Sequence, residues 1–253
     1  METLLIDMPL PGVRRLRIDR PAARNAIDAT TRAALRGAVA AAAGDPAVRA
    51  LVIAGNGGLF CAGGDLASLS GLDYDAALAR MRDGHGLVER LWHFPKPVVA
   101  AVERYAIGAG AGLALLADRI VMGSDAVLGL PFLKLGLVPD WGLMATLPRR
   151  AGWPLACRLL QDAGSLSAEA ALAAGAADAV AAPDAVMHDA LAAAERLAAL
   201  PSAAFALLKA RMRAGGLDLP AEAQAQALCL AGPEFAEGYA ALRERRPPRF
   251  HPG

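Results

Sequence analysis

The stretch Ala106-Ile-Gly-Ala-Gly-Ala-Gly-Leu-Ala-Leu-Leu-Ala-Asp118 decides how the rest of the chain is organised. It follows an apolar run typical of a buried strand, Pro97-Val-Val-Ala-Ala-Val102, and its glycines let the backbone turn sharply. The Leu- and Ala-rich segment from Leu113 onward predicts a helix. This order of elements leaves unpaired N–H groups at the helix start, aimed at a docked ligand. For the glycines alone, close packing of the helix on a sheet is an equal alternative.

A second glycine turn, Gly55-Asn-Gly-Gly-Leu-Phe-Cys-Ala-Gly-Gly-Asp-Leu66, follows a predicted strand at Ala50-Leu-Val-Ile-Ala54. Neither turn has the spacing of a dinucleotide or phosphate loop. If both turns lie at the same sheet edge, the N–H groups near Gly64 and Ala109 converge on one oxygen. Such a pair stabilises the enolate of a thioester, each donor contributing about 3–4 kcal/mol. The sequence therefore suggests an oxyanion hole.

The order of elements along the chain indicates an α/β core followed by helices. Strands are predicted at 4–6, 13–19, 119–122 and 126–130, and a helix capped by Asp28 or Thr30 runs to about residue 43. A helix over 73–93 is expected to be interrupted near Gly84 and Gly86, and Asp140 is expected at a helix start. Further helices are predicted at 141–150, 154–163, 167–174, 184–199, 201–214, 219–231 and 233–244, with at most a short strand at 179–181. We therefore expect a core over residues 1–190 and a helical region over 191–253 that packs against a neighbouring subunit.

The composition restricts the classes of binding partner and the cellular compartment that we expect. The 26 basic and 25 acidic residues nearly cancel, which argues against a nucleic-acid partner or an anionic membrane. Three widely spaced cysteines without a C-x-x-C motif fit a reducing cytoplasm and predict no metal site. No apolar run reaches the roughly 18 residues of a membrane span. We therefore expect a cytoplasmic protein.

Several motifs together resemble the enoyl-CoA hydratase/isomerase (crotonase) family. They are Phe60-Cys-Ala-Gly-Gly-Asp-Leu66, Lys96-Pro-Val-Val-Ala-Ala-Val102, Gly108-Ala-Gly-Ala-Gly112 and Gly136-Leu-Val-Pro-Asp140. Arg20-Pro-Ala-Ala-Arg-Asn-Ala26 resembles the family's early coenzyme A loop, and residues 237–250 resemble its C-terminal ending. These motifs span the chain in the family's order, which makes accidental matching improbable.

The resemblance implies a fold, an assembly and a site. The fold would be an α/β spiral of ββα units with a C-terminal all-helical trimerisation region, assembled as a homotrimer or a dimer of trimers. Gly64 and Ala109 match the oxyanion donors of the family. A dissociable coenzyme A thioester would be the substrate, with no further cofactor. The segments that line the acyl-CoA site contain Arg24, Ala26, Ala62, Asp65, Leu66, Gly108, Gly112, Phe132 and Trp141.

The two glutamates of the family's hydratases are replaced in this chain. Gly112 occupies the first position and Phe132 the second, and neither side chain transfers a proton. Asp140 instead matches the single acid of the family's isomerases, and the run from Phe132 resembles the epoxyphenylacetyl-CoA branch. One carboxylate suffices to shift a double bond, because it takes a proton from one carbon and returns it at another. An apolar surround of Phe132 and Trp141 would raise the pKa of Asp140, whereas a helix N-terminus would lower it.

Alternatives to the isomerase hypothesis remain at this stage. Asp140 is also explained as a plain helix N-cap. His85 lies near the position of a histidine in the family's dehalogenases, so Asp140 as nucleophile and His85 as activator of water would give a hydrolytic or dehalogenating enzyme. His85 is equally explained as a solvated residue. A third alternative is an acyl-CoA-binding relative without catalytic activity.

Overall fold

The computed structural model describes residues 3–216 and 218–251. Its strands are β1 (Leu4–Leu10), β2 (Val13–Ile18), β3 (Ala50–Gly55), β4 (Val98–Val102), β5 (Tyr105–Ile107), β6 (Arg119–Gly123), β7 (Val127–Gly129), β8 (Ser165–Ser167) and β9 (Ala179–Ala181). Its helices are α1 (Ala29–Gly44), α2 (Tyr74–Trp92), α3 (Ala109–Leu115), α4 (Leu143–Ala151), α5 (Trp153–Gln161), α6 (Ala168–Ala173), α7 (Val186–Ala198), α8 (Ser202–Ala214), α9 (Leu219–Leu230) and α10 (Pro233–Glu244).

The larger sheet has six strands in the order β1-β2-β3-β4-β6-β9 and is parallel except for the β1–β2 hairpin. Strands β3 and β4 are buried along their whole length, as expected for central parallel strands covered on both faces. One face, including Val52 and Val99, packs against α7 through Ala190 and Ala194. The opposite face, including Ile53, belongs to the main core.

A smaller sheet, in the order β5-β7-β8, lies beyond the end of β4. Strand β5 pairs in parallel with β7, and β7 pairs antiparallel with β8. Two single bridges, Ile27 with Gly64 and Cys61 with Ala106, join the loop after β3 to its neighbours. These bridges bring the two glycine turns side by side.

The predicted order of elements is confirmed, with several differences in detail. Asp28 caps α1 by accepting a hydrogen bond from the Thr31 N–H, and the short strand expected at 179–181 is present as β9. The expected break in α2 is wrong, because the helix continues through Gly84 and Gly86. The sequence did not predict β5 or β8.

The C-terminal helices are joined to the core by a buried ion cluster. Lys209 and Arg213 of α8 both pair with Asp118, at 2.5 and 3.0 Å. The predicted boundary at residue 190 falls inside α7, so the division into two regions stays a prediction. Across residues 3–216 and 218–251, no single helix meets the length and apolarity of a membrane span; α7 and α8 do so only when joined across a 106° bend.

Candidate functional site

The loop after β3 is clamped between two other segments by main-chain hydrogen bonds. On one side, the Ile27 N–H donates to the Gly63 carbonyl at 2.8 Å, and the Asp65 N–H donates to the Ile27 carbonyl at 3.1 Å. On the other side, the Ile107 N–H donates to the Cys61 carbonyl at 3.0 Å. The loop is therefore fixed at both edges, and the Gly64 N–H lies between these anchors without a hydrogen-bond partner among the described residues.

The glycine turn after β5 leads directly into α3, which begins at Ala109, the residue expected near the helix N-terminus. Only Gly108 of the turn's glycines has a positive φ, at 53°. A Cβ on Gly110 would lie 2.5 Å from the Cys61 carbonyl oxygen, so that glycine permits close packing of the two turns. As the first residue of α3, Ala109 has an N–H that no helical carbonyl can accept.

The two unpaired amides lie in adjacent backbone. A Cβ built on Gly63 would lie 3.8 Å from the Ala109 nitrogen, which brings the Gly63–Gly64 peptide beside the start of α3. Both Gly64 and Ala109 line one cavity. Two main-chain donors at one cavity wall are the arrangement that stabilises a developing oxyanion.

That cavity has a volume of about 240 Å³ and is lined mainly by apolar side chains. The loop after β3 and the glycine turn before α3 form one wall of the cavity. One face of α2 forms a second wall, and the segment between β7 and α4 forms the third. The lining residues are Ile27, Ala62, Gly63, Gly64, Leu66, Leu69, Arg80, Met81, Gly84, His85, Ile107, Gly108, Ala109, Pro131, Phe132, Leu135, Leu137, Val138, Asp140 and Trp141.

Asp140 is the acidic residue of this lining, and its side chain is partly buried. Burial raises the pKa of Asp140 to about 6, although the positive charges of His85 and Arg80 and the residue's own N–H act to lower it. Helix α4 begins at Leu143 with Gly142 as its N-cap, so the alternative that Asp140 is a plain helix N-cap is wrong, and Asp140 lies before the helix. Desolvation therefore outweighs the opposing charges and leaves a carboxyl that changes protonation state near neutral pH.

The two positions at which the resemblance predicts glutamates in a hydratase, Gly112 and Phe132, carry no acid. Phe132 is 7% exposed and lines the cavity. Gly112 does not line the cavity, because a Cβ at this position would overlap the Cβ of Trp141 and lie 2.9 Å from its carbonyl oxygen. Trp141 therefore covers the face of α3 on which a side chain at residue 112 would project.

Of the remaining predicted site residues, Ala62 and Leu66 line this cavity, whereas Arg24, Ala26 and Asp65 lie outside it. The Asp65 carboxylate pairs with Arg20 at 3.2 Å, and the Ala26 carbonyl also accepts a hydrogen bond from Arg20. Arg24, in a left-handed conformation with φ 52°, lines a neighbouring depression of about 570 Å³ that also includes Ala62 and Arg104. Ala62 lines both spaces, so the depression adjoins the cavity.

The sequence reasoning missed part of the α2 wall. Arg80 and Met81 line the cavity together with Gly84 and His85. These positions are spaced i, i+1, i+4 and i+5, which places them on one helical face. This spacing could have identified the face of α2 that lines the cavity, but the break expected at Gly84 and Gly86 concealed it.

Comparison with known proteins shows the class to which the chain belongs, a family of enzymes that act on acyl-CoA thioesters. Residues 11–252 match the family model described as enoyl-CoA hydratase/isomerase. The chain is 37% identical to the 2,3-dehydroadipyl-CoA hydratase of Escherichia coli, with 93% of each chain covered. It is 33% identical to the 1,2-epoxyphenylacetyl-CoA isomerase of the same organism, covering 94% of this chain and 95% of that one.

The solved structures give the same result. An enoyl-CoA hydratase from Polaromonas sp. JS666 superposes with a TM-score of 0.92 at 31% identity, covering 98% of this chain and 99% of that chain. The protein therefore belongs to the enoyl-CoA hydratase/isomerase family and has the crotonase fold.

Proposed function

We propose that this protein is an enoyl-CoA isomerase that shifts a double bond with Asp140 as its single acid and base. The observation that carries the proposal is the position of Asp140 in the same cavity as the Gly64 and Ala109 amides, with its pKa near 6. A group with a pKa close to the working pH is well suited to accept and return a proton.

The proposed reaction needs one carboxylate and two amides. The thioester oxygen accepts hydrogen bonds from Gly64 and Ala109. The Asp140 carboxylate removes the α-proton of a 3-enoyl thioester, and the resulting negative charge is stabilised at that oxygen. The same carboxyl then returns the proton at the γ-carbon, which moves the double bond to the α,β position. The coenzyme A thioester is the substrate, and this scheme uses no metal ion or redox cofactor.

The replaced glutamates argue against hydration by the family's two-carboxyl route. Water addition needs one group to activate the water and another to protonate the α-carbon. Gly112 and Phe132 supply neither. This supports isomerisation over hydration even though two of the three similar proteins named above are hydratases.

A panel of acyl-CoAs in deuterated water tests the proposal. We expect deuterium uptake and a shifted double bond in 3-enoyl-CoAs, without hydration products and without free coenzyme A. Hydration of 2-enoyl-CoAs as the dominant reaction would contradict the proposal. Binding of the thioesters without exchange or turnover would instead indicate a non-catalytic relative.

His85 supports a second candidate, a hydrolytic or dehalogenating acyl-CoA enzyme. The residue lines the cavity and lies close enough to Asp140 for the protonated form of its ring to act on that carboxyl. In that mechanism the Asp140 carboxylate attacks the thioester carbonyl and expels the coenzyme A thiolate, or attacks an aryl ring and expels its halide. Neutral His85 then takes a proton from the water that hydrolyses the covalent intermediate and frees Asp140. His85→Ala should then abolish turnover, whereas the isomerase mechanism predicts only a modest change in isomerisation rate.

We further propose a homotrimer or a dimer of trimers. Large apolar side chains on the C-terminal helices are exposed, including Met212 at 71% and Leu242 at 75%. Exposed apolar surface of this kind is typical of subunit contacts. The mass in solution, measured by light scattering after gel filtration, tests the assembly, and a monomer at micromolar concentration would contradict it.

A further inference from the structure

Arg80 brings a positive charge into a cavity wall that is otherwise mainly apolar. The side chain is partly buried, and its Nε is shielded from solvent. Within residues 3–216 and 218–251, its guanidinium group forms no hydrogen bond or ion pair, and its Nε has no acceptor. A shielded Nε–H without an acceptor is an unsatisfied donor, and the positive charge beside it favours an anionic ligand at this point.

Two of the three carboxylates whose charges act on Arg80 already form ion pairs with other arginines. Asp83 on the same helix pairs with Arg32 at 3.0 Å and with Arg36. Asp65 pairs with Arg20 at 3.2 Å. Both carboxylates, and that of Asp140, influence the pKa of Arg80 only through their charge, and burial lowers this pKa. The guanidinium therefore keeps its donors for a group that enters the cavity.

Arg80 lines the same cavity as Gly64, Ala109 and Asp140, so a group that it binds there belongs to the acyl part of the thioester. Arg80 lies five residues before His85, which corresponds to about 7 Å along the helix axis. His85 is the residue of this wall whose charge acts most strongly on Asp140. Arg80 is thus displaced from His85 toward the start of α2, while the charges of Asp65 and Asp140 both still act on it.

We infer that the acyl group of the substrate carries a carboxylate at the end distal to the thioester and that Arg80 binds it. The inference rests on the proposed thioester chemistry and adds its substrate class, a dicarboxylic acyl thioester. A guanidinium binds a carboxylate through two parallel hydrogen bonds, and an apolar surround strengthens them. The phosphates of coenzyme A are the other source of anionic groups, but the long pantetheine arm separates them from the thioester.

Paired substrates test this inference with the wild-type chain. We expect a 3-enoyl-CoA that ends in a carboxylate to be isomerised with a kcat/KM about 10- to 100-fold above that of the methyl-terminated analogue of equal length, as for a charged hydrogen bond. Arg80→Met should remove this preference by lowering the rate of the carboxylate substrate alone. Arg82→Met is the matched control, because Arg82 is exposed on the same helix and does not line the cavity. It should leave the preference unchanged.

Thioesters of N-acetylcysteamine, which lack the phosphates, separate the two sources of anionic groups. The carboxylate preference and its loss in Arg80→Met should persist with these substrates. An Arg80→Met effect seen only with coenzyme A thioesters would assign Arg80 to the phosphates and overturn the inference. An equal loss for both acyl chains, with a shifted pH profile, would assign Arg80 to the electrostatics of Asp140 and would overturn it too.

The two proposals fail in different ways. If both acyl chains are isomerised at equal rates, the carboxylate inference is wrong and the isomerase proposal stands. If neither chain is isomerised, the isomerase proposal is wrong. Equilibrium binding of the two thioesters then tests Arg80 separately, since tighter binding of the carboxylate form that is lost in Arg80→Met would still support it.

Discussion

Trp141 packs directly on Gly112 of α3. A Cβ at residue 112 would overlap the Cβ of Trp141 and lie 2.9 Å from its carbonyl oxygen. Trp141 itself has a φ of 53°, a left-handed conformation that costs a non-glycine residue free energy. The missing side chain at residue 112 and the strained backbone at residue 141 therefore belong to one packing arrangement, which closes the wall beside Asp140.

Substitutions at Gly112 test this arrangement. Gly112→Ala should lower the free energy of unfolding by about 1–3 kcal/mol, because the added Cβ forces Trp141 to move. Gly37→Ala is the matched control, since Gly37 lies within α1 with open space around it. The control should stabilise the protein by up to about 1 kcal/mol. Chemical denaturation measures both values, and equal stabilisation by the two substitutions would contradict the packing described here.

Restoring the two glutamates should not restore hydration. In the double variant Gly112→Glu and Phe132→Glu, the first side chain meets Trp141 before it can reach the cavity. We expect a destabilised protein without measurable hydration of 2-enoyl-CoAs. Appearance of hydratase activity at a rate above that of the wild type would show that Trp141 moves aside.

Because the pKa of Asp140 differs between the folded and the unfolded state, the free energy of unfolding depends on pH. The pKa rises from 3.8 to about 6 on folding, so the folded state binds the proton more tightly than the unfolded state. The resulting stability is fully present below about pH 4 and is lost as the pH rises through 6. Asp140→Asn stays neutral and should be more stable than the wild type by about 1–2 kcal/mol at pH 8, after allowance for solvent screening, and equally stable at pH 3.5. Unfolding curves at the two pH values measure this, and a variant less stable at pH 8 would contradict the raised pKa.

Ala109 offers a way to delete one oxyanion donor. Proline is tolerated at the first position of a helix, where its missing N–H breaks no helical hydrogen bond. Ala109→Pro should therefore lower kcat about 100- to 1000-fold with a small change in melting temperature. Ala109→Ser keeps the N–H and is the control. If both variants fold and have similar rates, the Ala109 N–H is not a donor of the oxyanion hole.

The ion cluster of α8 is predicted to stabilise the contact between the C-terminal helices and the core. Asp118 accepts hydrogen bonds from Lys209, Arg213 and the Val98 N–H, and its side chain is only 16% exposed. Asp118→Ala leaves two buried cations unpaired and should cost about 3–5 kcal/mol. Asp189→Ala, which removes a 48% exposed carboxylate paired with His188, should change stability by less than about 0.5 kcal/mol. Comparable losses in the two variants would contradict the role of the cluster.

The sequence predicted those elements whose signal is local. Strands β3 and β4 are continuous apolar runs, and the Asp28 cap follows from a short polar side chain before a helix. Strands β5 and β8 are three residues long and exist because both pair with β7, which no local pattern reveals. Tertiary contacts likewise keep α2 continuous, because its buried positions, including Gly84 and Leu87, lie against the core.

The same distinction between local sequence signals and tertiary contacts applies to the candidate site. Gly64, Ala109 and Asp140 could be named because their motifs are contiguous in the sequence, and all three line the cavity. The position of Asp140 before α4 and the sign of its pKa shift depend on burial by distant segments, so the sequence left both open. Arg80 was missed because only the unbroken helix brings it to the cavity wall.

The most direct measurement of the central claim is hydrogen exchange at the substrate carbons in Asp140→Asn. Wild-type protein in deuterated water should exchange the α- and γ-hydrogens of a 3-enoyl-CoA, with a rate that rises with pD around the pKa of Asp140. The variant should still bind the thioester, as measured by calorimetry, while exchange at both carbons falls at least about 100-fold. Exchange at the wild-type rate in a folded, binding-competent variant would show that another group moves the proton and would contradict the isomerase mechanism.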